Sequence, residues 1–145
     1  MYKLSTGYSK KISKADEAAK QLIIEIMGEE KTGGFDIDSI YHFPDNSWLI
    51  LEFLKCETVR PFDSHPNRYW FKNKQKFISL WNLKCDLNDS SLILVNYEDS
   101  REQFLVITVE DLDSVEGITK EKKLQMDFNQ FKQYFISLNK KARGF

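Results

Sequence analysis

The sequence predicts an α/β fold: a single domain over residues 1–145, with a mixed central β-sheet flanked by helices in the order αββαββα. Three observations carry this. Three segments place apolar residues at helical spacing, and four short runs are continuously apolar or alternate as strands do. The third is composition. The 145 residues are 41% hydrophobic and include 11 Phe, 6 Tyr and 3 Trp, so a chain of this length can bury roughly two thirds of its unfolded surface. Only 6 Gly and 3 Pro interrupt it, which argues against low-complexity disorder.

The first helix is expected to start at Ser13, with Asp16 three residues on, because a side-chain oxygen there covers a free backbone N–H. Ala15, Ala19, Leu22, Ile23, Ile26 and Met27 form its apolar stripe, and Gly28 ends it. Phe35 to Phe43 alternates, with Phe35, Ile37, Tyr41 and Phe43 on one face and Asp36, Asp38 and His42 on the other; this reads as a strand. Pro44-Asp45-Asn46-Ser47 reads as a turn. Trp48 to Leu54 is apolar except for Glu52, as a strand buried on both faces would be, so the two strands form a hairpin. Cys56 to Asn67, with Pro61 and Pro66, reads as a loop.

Arg68 to Leu83 returns to helical spacing through Trp70, Phe77 and Trp81, with Phe71, Ile78 and Leu80 widening the apolar face. Ser91–Tyr97 and Gln103–Val109 are two further strands joined by the charged loop 98–102. Asp127 caps a last helix, Gln130 completes a capping box, and Phe128, Phe131, Phe135 and Leu138 form its stripe. Asp111 to Met126 carries no clear pattern.

The net charge of −1 hides an asymmetry. Between Arg60 and Lys84 six basic residues face one acid, whereas between Glu98 and Glu116 seven acids face one base. Such blocks suit a polyanion site on one face, or simply a solvated helix and a solvated loop. No apolar run reaches the roughly 18 residues of a membrane span, and residues 1–14 are basic without the apolar stretch of a signal peptide. A soluble, cytoplasmic protein is the expectation. Cys56 and Cys85 form no CxxC motif, imply neither disulfide nor zinc, and are expected to be small buried hydrophobes. Two histidines leave oxygen ligands as the main route to a metal. Nucleotide-binding glycine loops and a nucleophile elbow are absent from the sequence.

Glu52 is the most informative residue, since six of the seven residues of its strand before Lys55 are apolar. An unpaired carboxylate there would cost several kcal/mol. A structural partner (Lys55, Arg60 or Arg68), a raised pKa or a metal ion can compensate it. Across the hairpin, Asp38 can approach Glu52 on one face, although Asp36 and Asp38 also read as the wet face of an edge strand. Two carboxylates beside a lysine suit a hard divalent cation that activates water against a phosphodiester.

Taken together, the order α-β-β-α-β, Asp38 before Glu52, and Lys55 at the end of the second hairpin strand resemble the PD-(D/E)XK nuclease superfamily, over roughly residues 13–109. The resemblance implies a restriction endonuclease-like fold and a nuclease that hydrolyses phosphodiester bonds with Mg²⁺ or Mn²⁺. It implies Asp38 and Glu52 as metal ligands, joined by Glu25 from the first helix, and Lys55 as the catalytic lysine. Arg60, Arg68, Trp70, Lys72, Asn73 and Lys76 would bind nucleic acid, with DNA expected first. The segment His65 to Trp70 mixes aromatics with bases, as suits stacking on unpaired bases. A homodimer would suit cutting of two strands. The sequence departs from the family in spacing: two residues, not one, separate Glu52 from Lys55, so a regular strand points them to opposite faces unless a β-bulge intervenes. The rival expectation is a nuclease-fold protein that binds nucleic acid or a protein partner without catalysis.

Overall fold

The computed structural model describes residues 15–145. The expected Ser13 cap therefore lies outside the described residues. The element order is αββαβββα: α1 (Ala15–Met27), β1 (Ser39–His42), β2 (Trp48–Lys55), α2 (Trp70–Asp86), β3 (Ser90–Tyr97), β4 (Phe104–Asp113), β5 (Gly117–Met126) and α3 (Phe128–Ala142). Two units divide the chain, one ending at Asp36 and one running from Ile37 to Phe145. In the first, α1 exposes Leu22, Ile23, Ile24 and Ile26, and Lys20 pairs with Asp36 at 3.8 Å.

The second unit is a five-stranded mixed sheet in the spatial order β1-β2-β3-β4-β5. Its pairings are antiparallel except β2 with β3, which run parallel and therefore need the crossover that α2 supplies. Alternation along β2 splits the core in two. Ile50 faces α2 and packs with Trp70, Phe77, Leu80, Leu92, Leu94 and Ile107. Leu51 faces α3 and packs with Val95, Phe104, Val106, Met126 and Phe131. A strand sandwiched this way has no wet face, hence the continuous apolar run of 48–54.

Three expectations are corrected. The first strand is 39–42, not 35–43. Beyond Ser39 the ladder is taken over by a side chain, because the Phe53 amide donates to Asp38 Oδ2 (2.8 Å). The chain leaves the sheet there, so Ile37 packs on the α2 side while Tyr41 packs on the α3 side. The second correction is a fifth strand in the patternless stretch 111–126. β5 reads GITKEKKLQM and is largely exposed, as an edge strand protected by lysines should be. Only its ends, Gly117, Ile118 and Met126, are buried, which leaves no alternation to read. Thirdly, Cys85 is exposed and Cys56 half-buried, so neither is a core residue. The Asp127–Gln130 capping box of α3 is present as expected, although Phe128 in its stripe is exposed.

Between β2 and α2 the chain makes two short 3-10 turns, Pro61–Asp63 and Pro66–Tyr69. Side chains pin this connection to the sheet. Asn96, a buried amide in apolar β3, donates to the carbonyls of Ser64 (2.9 Å) and Pro61 (3.4 Å). Asn67 pairs with both backbone groups of Ile118, donating to its carbonyl (2.9 Å) and accepting from its amide (2.8 Å). Each bond satisfies a polar group that would otherwise be buried without a partner.

Candidate active site

The register of the hairpin brings the two predicted carboxylates together. Ser39 lies opposite Leu51, so Asp38 comes opposite Glu52 on the same face. The Asp38 amide donates to Glu52 Oε2 (3.2 Å). Glu52 is only 2% exposed, and its Oε1 is held by the ammonium of Lys76, from the second turn of α2. Burial pushes the Glu52 carboxyl above its ordinary value; the Lys76 hydrogen bond opposes this, and the nearby Asp38 charge adds to it. Three charged groups thus converge at the end of β2.

Glu52 and Lys76 of this cluster border a pocket of about 440 Å³, with Asp38 behind its lining. Its floor and near wall are Glu52 to Cys56 and Asn96, its outer wall is the pinned connection through Ser64, His65, Pro66 and Tyr69, and α2 closes it with Lys72, Asn73 and Lys76. Positions 72, 73 and 76 are spaced so that 76 follows the other two by four and three, which puts them on one helical face. Of the predicted nucleic-acid residues, Lys72, Asn73 and Lys76 therefore share one wall.

Lys55 also lines the pocket, whereas Arg60, Arg68 and Trp70 do not. β2 and β3 pair without interruption from Trp48–Ser90 to Lys55–Tyr97. No bulge reorients Lys55, and its side chain falls on the face opposite Glu52. Its ammonium instead meets Asp99 (3.3 Å) and Glu57 (3.7 Å), and the bond to Asp99 raises its pKa. The ammonium beside Glu52 is that of Lys76. Arg60 is engaged by Glu98 through two hydrogen bonds (3.1 and 2.8 Å), with Glu102 at 3.9 Å. Trp70, at 4% exposure, is core and not a stacking surface: it stacks on Phe77 and its indole N–H donates to the Ser114 carbonyl (3.3 Å). Arg68 lies over the Tyr69 ring, 5.8 Å from its centroid. Glu25 is an exposed residue of α1, in the first unit.

Asn96, His65 and Tyr69 complete the walls. Asn96 carries the same signal as Glu52, a polar residue inside an apolar strand, and could have been found by it. His65 and Tyr69 belong to the segment 65–70 singled out in the sequence, but the partners of His65 are set in three dimensions. Its Nδ1 accepts from the Asn67 amide (3.0 Å), which leaves the proton on Nε2, 2.6 Å from Glu121 Oε2. With both nitrogens occupied, it is a wall residue rather than a free base. Burial pushes the Cys56 thiol up, away from the thiolate a nucleophile needs.

Among the described residues, no group of three or more His, Cys, Asp and Glu side chains could hold a metal ion; the carboxylates at this site are two. No described helix is long and apolar enough to cross a membrane. Comparison with protein-family models, with curated proteins and with solved structures finds no match in any of the three.

Proposed function

We propose that the pocket beside Glu52 binds nucleic acid and that the Asp38–Glu52–Lys76 cluster hydrolyses its phosphodiester backbone. The observation that supports this reading is the position of the pair formed by buried Glu52 and half-exposed Lys76. A merely structural ion pair is best sealed in the core, yet Glu52 and Lys76 border an open pocket with a second carboxylate whose charge disfavours the first. Such an arrangement costs stability and is understandable if it serves chemistry.

The donor set fits a hard divalent cation. Mg²⁺ is commonly held by one or two carboxylates and keeps several waters, and Asp38 and Glu52 are the residues that would hold it or Mn²⁺. Such an ion, when bound, supplies charge stabilisation at a phosphoryl oxygen and a more acidic water. The chain's own residues do the rest. Lys76 presents a fixed ammonium to negative charge that grows on the phosphate. Lys72 and Asn73 offer a cation and an amide one turn away for a neighbouring phosphate. Lys55 takes no part, being turned to the other face.

Binding without cleavage is the second reading. It is favoured by one observation: both Glu52 oxygens already have protein partners, Lys76 and the Asp38 amide. Cleavage assays on single-stranded, duplex and branched DNA and on RNA, with Mg²⁺ or Mn²⁺, separate the two. Hydrolysis is expected in the wild type and in Lys55→Ala, and is expected to vanish in Asp38→Asn and Glu52→Gln with folding intact. Nucleic-acid binding without metal-dependent cleavage would establish the second reading, and absence of both would refute the proposal.

A further inference from the structure

The pocket beside Glu52 combines a recess, an exposed aromatic ring and a lysine. Resting on the nucleic-acid reading above, we infer that it takes a single unpaired nucleotide, with the base stacked on Tyr69 and the adjoining phosphate held by Lys72 and Asn73.

The argument begins with depth. Glu52 is nearly inaccessible, and the pocket beside it is walled by the 56–66 connection on one side and α2 on the other. At about 440 Å³ it falls within the roughly 300–1,000 Å³ typical of small-ligand sites. A duplex carries its phosphates on a stiff convex surface and cannot lower one into such a recess; a strand free to rotate its backbone can.

Tyr69 supplies the second step. It lines the pocket yet is 49% exposed, unlike Trp70 beside it. Its hydroxyl lies 3.5 Å from Thr58 Oγ1, and the Arg68 guanidinium lies 5.8 Å from its ring centroid. These contacts hold an aromatic surface in place at the mouth, the arrangement that sequence-tolerant single-strand binders use.

Charge completes the match. Lys55 is paired with Asp99 and Glu57, and Lys76 with Glu52. Lys72 is exposed on the pocket wall and, among the described residues, has no acidic partner, so of the three pocket lysines its ammonium is the one offered to an external anion. Glu57 is the one acid on the rim besides Glu52, and it faces Lys55.

The test is equilibrium binding by fluorescence anisotropy. It uses the full chain, excess EDTA, and labelled short oligonucleotides: oligo-dT, oligo-U and a blunt DNA hairpin of equal length. Single strands should bind more tightly than the hairpin, and the oligo-dT and oligo-U arms separate DNA from RNA. Tyr69→Ala should weaken single-strand binding about tenfold, as loss of one stacked base does. Tyr69→Phe should restore it. Phe71→Ala is the control, because Phe71 is 91% exposed but belongs to the outer face of α2, away from the pocket residues. Circular dichroism and urea unfolding verify that each variant is folded. Tighter hairpin binding, an unaffected Tyr69→Ala, or an equal loss in Phe71→Ala would each overturn the inference. Because metal is absent, the outcome is separable from cleavage: Tyr69-dependent single-strand binding by a protein that never cleaves keeps this inference and sinks only the hydrolytic reading. A protein that cleaves duplex and prefers it does the reverse.

Discussion

Replacing Lys76 by Met tests the physics of the site most directly. The methionine keeps the unbranched stem on α2 and removes only the ammonium, so Glu52 remains buried with the Asp38 amide as its sole polar partner. Breaking a fully buried ion pair by removing one partner costs about 3–5 kcal/mol. The Lys76 side chain is 36% exposed, so solvent already screens it, and about 2 kcal/mol is the expected loss at pH 8. The sign of the pH dependence follows from burial. The native pKa of Glu52 lies above its unfolded value, so the native state holds the extra proton between the two values. The group's stabilising contribution is full below the unfolded value, near 4.5, and is lost as pH rises through the native one. Removing Lys76 takes away an influence that lowers the native pKa. The deficit of Lys76→Met should therefore be small near pH 4 and grow toward pH 8. Urea unfolding of wild type, Lys76→Met, Glu52→Gln and the double variant at both pH values gives the coupling energy. In the double variant most of the loss should return, because no buried charge is left unpaired. Equal stability of wild type and Lys76→Met at pH 8, or a deficit independent of pH, would refute the reasoning.

Two further substitutions test the frame of the pocket. Gly117 has φ +89°, and a Cβ there would clash with the Asn67 side-chain oxygen. Gly117→Ala should thus cost about 2 kcal/mol or more in urea unfolding, and should weaken oligonucleotide binding because Asn67 anchors the outer wall. Asp127→Ala removes the side chain that accepts from the Gln130 amide (2.8 Å) at the start of α3. It should lower stability by about 1 kcal/mol and leave oligonucleotide affinity unchanged; a change in affinity would show that α3 bears on the site.

The sequence by itself determined the elements whose pattern is local. Helical stripes, the Pro44–Ser47 turn, the apolar runs of β2, β3 and β4, and the Asp127 cap all depend on residues within a few positions of one another. The same logic marked Glu52, because a carboxylate in an apolar strand demands compensation wherever that strand packs. Hairpin symmetry then placed Asp38 across from it. Tertiary structure decided which cation supplies the compensation. Lys55 is three residues from Glu52 in sequence but belongs to the opposite face, since side chains alternate along a strand and no bulge intervenes. Lys76 is 24 positions away, and α2 carries it back over the sheet. Long-range pairing also decided β5, whose exposed lysines hide it from any pattern. Trp70 and Tyr69 are neighbours of similar chemistry, yet one fills the core and the other borders the pocket. Which way each points is set by the packing of α2 on the sheet, information that no local window of sequence contains.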